Sequence, residues 1–376
     1  MSFIVSSGQL LKHLKSLQGV VASSPVLPIL ENFMFEIGKE TLRTTASDLQ
    51  TTVVSEIPVE STIEFQICVP AKMITDILSN LPEQPVKFTI DEDTYILTLK
   101  TENGKYSISG ENPIDFPKMP KMPTSTNLEM PSSVLARAIS TTIFAASTDD
   151  MRPATTGICF ILDTDQSVFV GTDGHRLVKY SRTDIVVEEE AKFIVPRKAL
   201  AFVRSAIPTN LTPLTIAYNS NNVSFSYDNT QIYCRLIDER FPDYKAVIPI
   251  QNPNVLTIER LDLLNALKRI VLFTNKAHSQ TRLKISSTDV TVSGEDSDYS
   301  NEGTEKLSAD FVGEPFEIGF NAKSLIEVLS NVESNLIDIE MSMPNRPALI
   351  IPKAKDDAED ILMLVMPIML NTYMPA

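Results

Sequence analysis

The chain is poor in the residues that build disulfide frameworks, metal centres and membrane spans. Its three cysteines, Cys68, Cys159 and Cys234, lie far apart with no CxxC pair. That pattern fits neither a disulfide framework nor a zinc knuckle, and predicts buried, reduced thiols in a cytoplasmic protein. Three histidines (His13, His175 and His278) offer little to metal or acid–base chemistry, so no metal and no cofactor are expected. No run approaches the ~18 uninterrupted apolar residues of a transmembrane helix, and no membrane partner is expected. The opening Met-Ser-Phe-Ile-Val-Ser-Ser-Gly has no basic region before a long apolar stretch, so no signal peptide is expected. Neither GxxxxGK[ST] nor GxGxxG occurs, which removes the usual nucleotide cradles. Positive charge is also short: 33 Lys and Arg stand against 48 Asp and Glu, a net charge of −15. A protein that coats nucleic acid or anionic membrane with its whole surface is thereby excluded, although one basic face on an acidic body is not.

What remains is ordinary globular composition, with 43% hydrophobic and 22% charged residues, so wholesale disorder is excluded. The 376 residues conceal a repeat with a period of 125. Phe116-Pro117 returns as Phe241-Pro242 and then as Met366-Pro367 at that spacing. Ser47-Asp48 aligns with Thr172-Asp173. Val69-Pro70-Ala71-Lys72 aligns with Val195-Pro196-Arg197-Lys198, and more weakly with Phe320-Asn321-Ala322-Lys323. Several matches in one order at one period predict three homologous domains, at 1–125, 126–252 and 253–376.

Each unit reads as strand, helix, strands, helix, strands. The first helices are predicted at Gln9–Leu17, Ser132–Ala146 and Leu261–Phe273, with Ser7 and Ser132 as N-caps. The second helices are predicted at Ala71–Asn80, Pro196–Ala206 and Asn321–Val332, with Pro196 as a first helical residue. Alternating segments such as Thr62–Val69, Lys192–Val195, Tyr95–Leu99 with Tyr106–Ser109, and Val223–Tyr227 with Ile232–Leu236 read as strands. The expected fold class is α+β, three tandem homologous domains each with two helices packed on antiparallel sheet.

Charge is segregated between these elements. Taken with their flanks as 7–18, 71–80, 132–147, 196–206, 259–275 and 321–332, the six helical segments carry eleven cations (Lys12, Lys15, Lys72, Arg137, Arg197, Lys198, Arg204, Arg260, Lys268, Arg269 and Lys323) against four acids, Asp76, Glu259, Asp262 and Glu327. The helices are therefore about +7 and everything else about −22. If six equivalent helices line one surface, that surface faces a polyanion. No base-reading signature is present, so the contacts expected are to phosphates, independent of sequence and weakened by salt.

One dense polar cluster stands out, Thr172-Asp173-Gly174-His175-Arg176-Leu177. Read as chemistry, Asp173 could orient His175 as a general base for a hydrolase or transferase. Read as structure, Asp173-Gly174 is a tight turn whose rim carries His175 and Arg176, and no GxSxG nucleophile turn accompanies it. A repeat scaffold that binds only proteins is a third reading. Asp296, Asp298, Glu302 and Glu305 read as a charged edge strand or a docking face for cations rather than an EF-hand.

The ordered segments Leu27-Pro28-Ile29-Leu30, Val69-Pro70-Ala71, Thr172-Asp173-Gly174-His175-Arg176-Leu177, Phe241-Pro242-Asp243-Tyr244 and Val365-Met366-Pro367 resemble the bacterial DNA polymerase III beta subunit family, the replicative sliding clamps. The resemblance spans essentially the whole chain. It implies a non-enzymatic processivity factor, a DNA clamp fold closing as a head-to-tail homodimer ring around duplex DNA. It implies loading by an ATP-driven loader supplied in trans. The DNA-facing candidates are Lys12, Lys72, Arg137, Arg197, Lys198, Lys268 and Arg269. At the ring joint the resemblance puts Tyr106 and Ile108 against Leu272 and Phe273 of the next chain.

The same resemblance implies a pocket between the second and third domains for short linear peptides of DNA polymerase, clamp loader and repair proteins. Its matching positions are Thr172, Gly174, His175, Arg176, Leu177, Pro242, Val247, Asn321, Val365, Met366 and Pro367. Thr155, Ala246 and Ser324 depart from the family's usual apolar, arginine and aromatic residues there. Ser24 and Asp149 fall at loop positions where the family often offers other groups to DNA, and Asn371 to Ala376 extend past the family's usual end.

Overall fold

The structure, a computed structural model, describes residues 1–22, 26–61, 63–119 and 127–370. Ser24 and the tail from Asn371 lie outside these residues, as does Thr62. Six α-helices occur among them: α1 (Ser7–Leu17), α2 (Ala71–Ser79), α3 (Ser132–Thr142), α4 (Arg197–Ala206), α5 (Arg260–Ile270) and α6 (Ala322–Ser330). Two first-helix forecasts ran past α3 and α5 because a 3-10 turn continues each, at Ile143–Ala145 and Val271–Phe273. Three helix-start assignments need correction. Ser132 is the first residue of α3 rather than its N-cap, and its hydroxyl donates to the Asn210 carbonyl at 3.0 Å. Ser6, not Ser7, caps α1: its hydroxyl accepts from the Gln9 amide at 3.2 Å, while Ser7 is the first helical residue and buried. Pro196 ends a strand, paired with Gly157, and α4 starts one residue later. Tyr95 is also outside the strand predicted to start there, since its φ of 55° is left-handed and the strand is Ile96–Lys100.

The chain forms two compact units, residues 1–136 with 198–236, and residues 137–197 with 237–376. In the first, a five-stranded sheet has the order Glu60–Ser61, Ser2–Ser6, Pro85–Ile90, Ile96–Lys100, Lys105–Ser109. Its eight-stranded sheet runs Asn127–Pro131, Pro213–Tyr218, Asn222–Tyr227, Thr230–Arg235, Thr51–Pro58, Thr41–Ser47, Asn32–Ile37, Phe65–Pro70. In the second unit, a nine-stranded sheet runs Ala191–Pro196, Gly157–Leu162, Ser167–Thr172, Arg176–Arg182, Glu359–Val365, Ala348–Pro352, Leu336–Met341, Asn254–Glu259, Asp310–Val312. A four-stranded sheet runs Asn301–Ser308, Asp289–Asp296, Gln280–Ile285, Phe316–Asn321.

These orders show how the sequence repeat is used. Every repeat contains a leading half-sheet, which holds its first strand, and a middle half-sheet. Each long sheet joins the middle half-sheet of one repeat to the leading half-sheet of the next. The seams are antiparallel ladders, Thr51↔Cys234 to Ser55↔Thr230 in the first unit and Arg176↔Val365 to Arg182↔Glu359 in the second. Three isolated bridges mark equivalent points: Cys68↔Glu111, Ile194↔Ile237 and Gly319↔Ile368. The first two are offset by 126 residues at both ends.

Helices form because each has a stripe of buried apolar residues at helical spacing, as in Leu10, Leu14 and Leu17 of α1 or Leu263, Leu267 and Ile270 of α5. Each such leucine contributes roughly 1.5–3 kcal/mol by leaving water. α1 packs on α2 and α5 on α6. The three cysteines are all free and buried, and burial pushes Cys68 and Cys159 up to about 12, so these thiols are packing groups.

His13 shares the buried face of α1, and its Nε2 has no hydrogen-bond partner among the described residues. Burial lowers its pKa to about 4, against 6.5 for a free imidazole. Below its unfolded pKa the unfolded chain binds the proton and the folded chain does not, so this part of the stability is complete above pH 6.5 and is lost as pH falls toward 4. Between pH 7.5 and pH 4 the wild type is expected to lose about 3 kcal/mol more than His13→Leu in urea unfolding. Equal losses would show that His13 is not the proton-linked group.

Candidate peptide pocket and DNA-facing cations

The polar cluster of the sequence is a turn that organises one end of the second unit. Thr172 closes a strand, and its Oγ1 donates to the Arg176 carbonyl at 2.7 Å while accepting from the Gly174 amide at 3.1 Å. Gly174 has φ 89°, a conformation that L side chains rarely adopt. The Asp173 carboxylate accepts from the amides of His175 and Arg176, both at 2.9 Å, and pairs with the Arg176 guanidinium at 3.1 Å. Asp173 therefore holds the turn and Arg176 rather than the His175 imidazole, which is exposed. The acid–base reading of this pair has no geometric support.

Arg176 ties the turn to its surroundings. Its guanidinium reaches Glu327 of α6 at 2.6 Å and the Phe144 carbonyl at 3.0 Å, and lies 5.7 Å over the Phe144 ring. Arg152 donates to the Asp173 carbonyl at 3.2 Å. The segment 366–368 is held beside the turn: the Met366 amide donates to His175 O at 2.8 Å, and the Ile368 amide to Gly319 O at 2.8 Å. Under this surface is a core of Cys159, Val170, Leu177, Phe241, Tyr244 and Leu364. Val247, Met366 and Pro242 are exposed above it, Val247 to 48% and Met366 to 37%. The arrangement is an apolar floor with exposed aliphatic walls and a polar turn at one side.

Not every pocket candidate is available as a contact. Leu177 and Val365 are buried floor at 2% and 1% exposure. Asn321 caps α6 by accepting from the Ser324 amide, and donates to His278 O, so both ends of its amide are engaged. Of the departures, Thr155 is buried with its hydroxyl on the Arg152 carbonyl, and Ala246 is exposed. Asp149 pairs with Arg152 at 3.0 Å. Phe144 and Glu327, which position Arg176, and Arg152, which holds the Asp173 carbonyl, were not predicted. Nothing in a single sequence marks them, because their partners are distant in the chain.

The DNA-facing candidates divide by residue type. Lys12, Lys72 and Lys268 are exposed and have no ion pair among the described residues. Arg197 is half-buried at the start of α4. Arg269 is bound at both oxygens of Glu305, at 2.7 and 2.6 Å, and Lys198 reaches Asp48 at 2.6 Å while remaining 80% exposed. Arg137 is engaged with Glu333 and Glu359. The Glu359 side chain is 6% exposed and also accepts from the Tyr180 hydroxyl at 3.1 Å. Arg137 therefore neutralises a buried carboxylate. At the expected joint, Tyr106 is 39% exposed, Leu272 77% and Phe273 40%, but Ile108 is only 4% exposed. Ile108 shares a face with Tyr106 but sits opposite the buried Leu97 and packs into its own domain's core, so it offers a partner almost no side-chain surface.

Three domain families cover almost the whole chain: the N-terminal, central and C-terminal domains of the DNA polymerase III beta subunit, at residues 1–120, 129–243 and 245–367. The chain belongs to the DNA polymerase III beta subunit family, the sliding clamps. Beta sliding clamps of Synechocystis and Pseudomonas putida are each 27% identical to it, over 94% of this chain and 96% of the first, and 96% of this chain and 99% of the second. The solved sliding clamp of Pseudomonas aeruginosa with ligand superposes with a TM-score of 0.93 at 26% identity, covering 98% of this chain and 100% of that one. A second Pseudomonas aeruginosa clamp structure, bound to griselimycin, gives 0.92 at 26% identity with the same coverage. The sliding-clamp fold is thus that of three α+β domains, as the repeat predicted.

Within this clamp, Arg137 and Lys268 separate structural from solvent-facing cations. Arg137→Ala leaves Glu359 without its guanidinium and is expected to cost about 2–3 kcal/mol in denaturant unfolding. Lys268→Ala is expected to stay within about 0.5 kcal/mol. Equal effects would dissolve the distinction.

Proposed function

We propose that this protein is a processivity clamp, two copies of which close head to tail around duplex DNA and tether a polymerase. The observation that carries the reading is the pair of open sheet edges. Both internal seams pair the third strand of a middle half-sheet with the last strand of the following leading half-sheet. Among the described residues, two strands of those kinds have no seam partner, Asn301–Ser308 of the third repeat and Lys105–Ser109 of the first. A second copy supplies the missing seam by the same rule. Carrying the seam register through the repeat pairs Asn301 with Ile108 of the other copy and Tyr106 with Gly303. Gly303 lies under the Phe273 ring, where an added Cβ would come within 2.8 Å, so Tyr106 would cover Phe273 across the joint.

In such a ring the exposed lysines of the helices, Lys12, Lys72 and Lys268, face phosphates without reading bases. The acidic remainder of the surface discourages DNA elsewhere. The clamp itself performs no reaction, resides in the cytoplasm with the DNA, and depends on a separate loader for opening. The pocket around Leu177, Val247 and Met366 receives short polymerase and repair-protein segments, with aliphatic floor for affinity and the Thr172–Arg176 turn for register.

Ser107→Cys with Glu302→Cys places thiols directly opposite in the proposed register. Oxidation is expected to give a covalent dimer that stays on circular DNA after loading and slips off once the DNA is cut. Failure to cross-link refutes the register, and retention on linear DNA refutes the topological tether. Separately, Val247→Asp is expected to weaken binding of the organism's own polymerase clamp-binding segment at least tenfold without changing dimer mass. Unchanged affinity would remove the pocket assignment.

A further inference from the structure

The first repeat carries a groove that the clamp reading leaves unused. It is lined by Leu27, Ile29, Tyr95, Glu111, Ile114 and Asp115, and encloses about 740 Å³. Ile114 is 81% exposed and Leu27 42%, with Val26 at 96% beside them, a local concentration of exposed aliphatic surface. The floor is firmly built. Ile29 packs with Leu30, Cys68 and Phe116, and Glu111 and Cys68 exchange backbone hydrogen bonds at 2.9 Å. Tyr95 is held at φ 55° by the Gly110 amide on its carbonyl, and a Cβ on Gly110 would meet that carbonyl at 2.8 Å. An aromatic residue in the left-handed region is uncommon and here faces an open groove.

The groove occupies the same place in its repeat as part of the peptide pocket does in the next. Cys68↔Glu111 is the counterpart of Ile194↔Ile237, and Ile29 and Phe116 are the 125-residue counterparts of Ala154 and Phe241. The chemistry differs at one point, since Glu111 stands where the second repeat has Ile237. Glu111 and Asp115 are both exposed, and neither has a cationic partner among the described residues. An occupant that buried the aliphatic groups while leaving these carboxylates unpaired would be disfavoured.

We propose that this groove is a second docking site, for a short segment of a partner protein in which an aliphatic or aromatic anchor adjoins lysine or arginine. The anchor sits between Leu27, Tyr95 and Ile114, and the cation meets Glu111 and Asp115. The two sites would let one domain frame hold two partners of different charge. The inference rests on the pocket reading only for the comparison between repeats, and the two are separable by mutation.

The test uses the full-length protein carrying Val247→Asp, which silences the first pocket, and a fluorescein-labelled Lys-Leu-Arg-Leu-Phe peptide read by anisotropy. Binding is expected to persist in Val247→Asp, to fall at least tenfold when Ile114→Asp is added, and to fall several-fold in Glu111→Gln with Asp115→Asn. It is expected to weaken with salt and to be at least tenfold poorer for Glu-Leu-Glu-Leu-Phe. All four substituted side chains are exposed, and an unchanged melting temperature verifies folding. The proposal is overturned by absence of binding, by indifference to Ile114→Asp, by loss in Val247→Asp alone, or by equal affinity for the acidic peptide. It is also overturned if light scattering shows that Ile114→Asp abolishes self-association, since the groove would then seat a second copy.

Discussion

An antiparallel sheet edge exposes a row of backbone donors and acceptors, and those groups must be paired or protected. This architecture turns that liability into a rule of assembly. The middle half-sheets of the first two repeats are each completed by the next leading half-sheet, so those repeats do not satisfy their hydrogen bonds alone. The seam at Arg176–Arg182 also anchors residues 365 and 366, through Met366 to His175 and the ladder partner Val365. The pocket floor, the seam and the open edges at Lys105–Ser109 and Asn301–Ser308 are consequences of one pairing pattern.

The two seams are secured differently. The first carries neutral contacts such as Ser55 with Thr230 at 2.8 Å. The second is laced with arginines: Arg176 to Glu327, Arg182 to Asp184 and Asp356, and Arg137 to Glu333 and Glu359. Guanidinium suits this use because its planar fork engages two carboxylate oxygens or a carboxylate and a carbonyl at once. Lysines have a compact, strongly hydrated charge, and Lys12, Lys72 and Lys268 remain in solvent. Cations on these helices thus divide into those that neutralise carboxylates and those that remain in solvent.

The pocket illustrates how a polar cluster can mislead. Asp173 two residues before His175 has the spacing of an oriented base, yet short-range geometry aims the carboxylate at backbone amides. An Asx-type turn requires this, because the same oxygen accepts from the amides two and three residues on. What the turn achieves is placement of Arg176 against Glu327 and Phe144, which stiffens one wall of an apolar surface.

The repeat, the α+β class, the helix positions to within a few residues and the turn at Asp173-Gly174 were legible in the sequence, because each rests on local periodicity or on residue types with narrow backbone preferences. The segregation of cations onto helices was legible too. Which cations are available was not, because Glu359 lies 222 residues from Arg137 and pairs with it only through the folded seam. Ile108 likewise reads as an interface residue by resemblance, while packing within its own domain buries its side chain. The number and kind of the repeated domains follow from local chemistry written three times along the chain. Only the tertiary structure decided which half-sheets join, which charges are neutralised and which edges stay open, because hydrogen-bond pairing and desolvation act between residues that no local pattern connects.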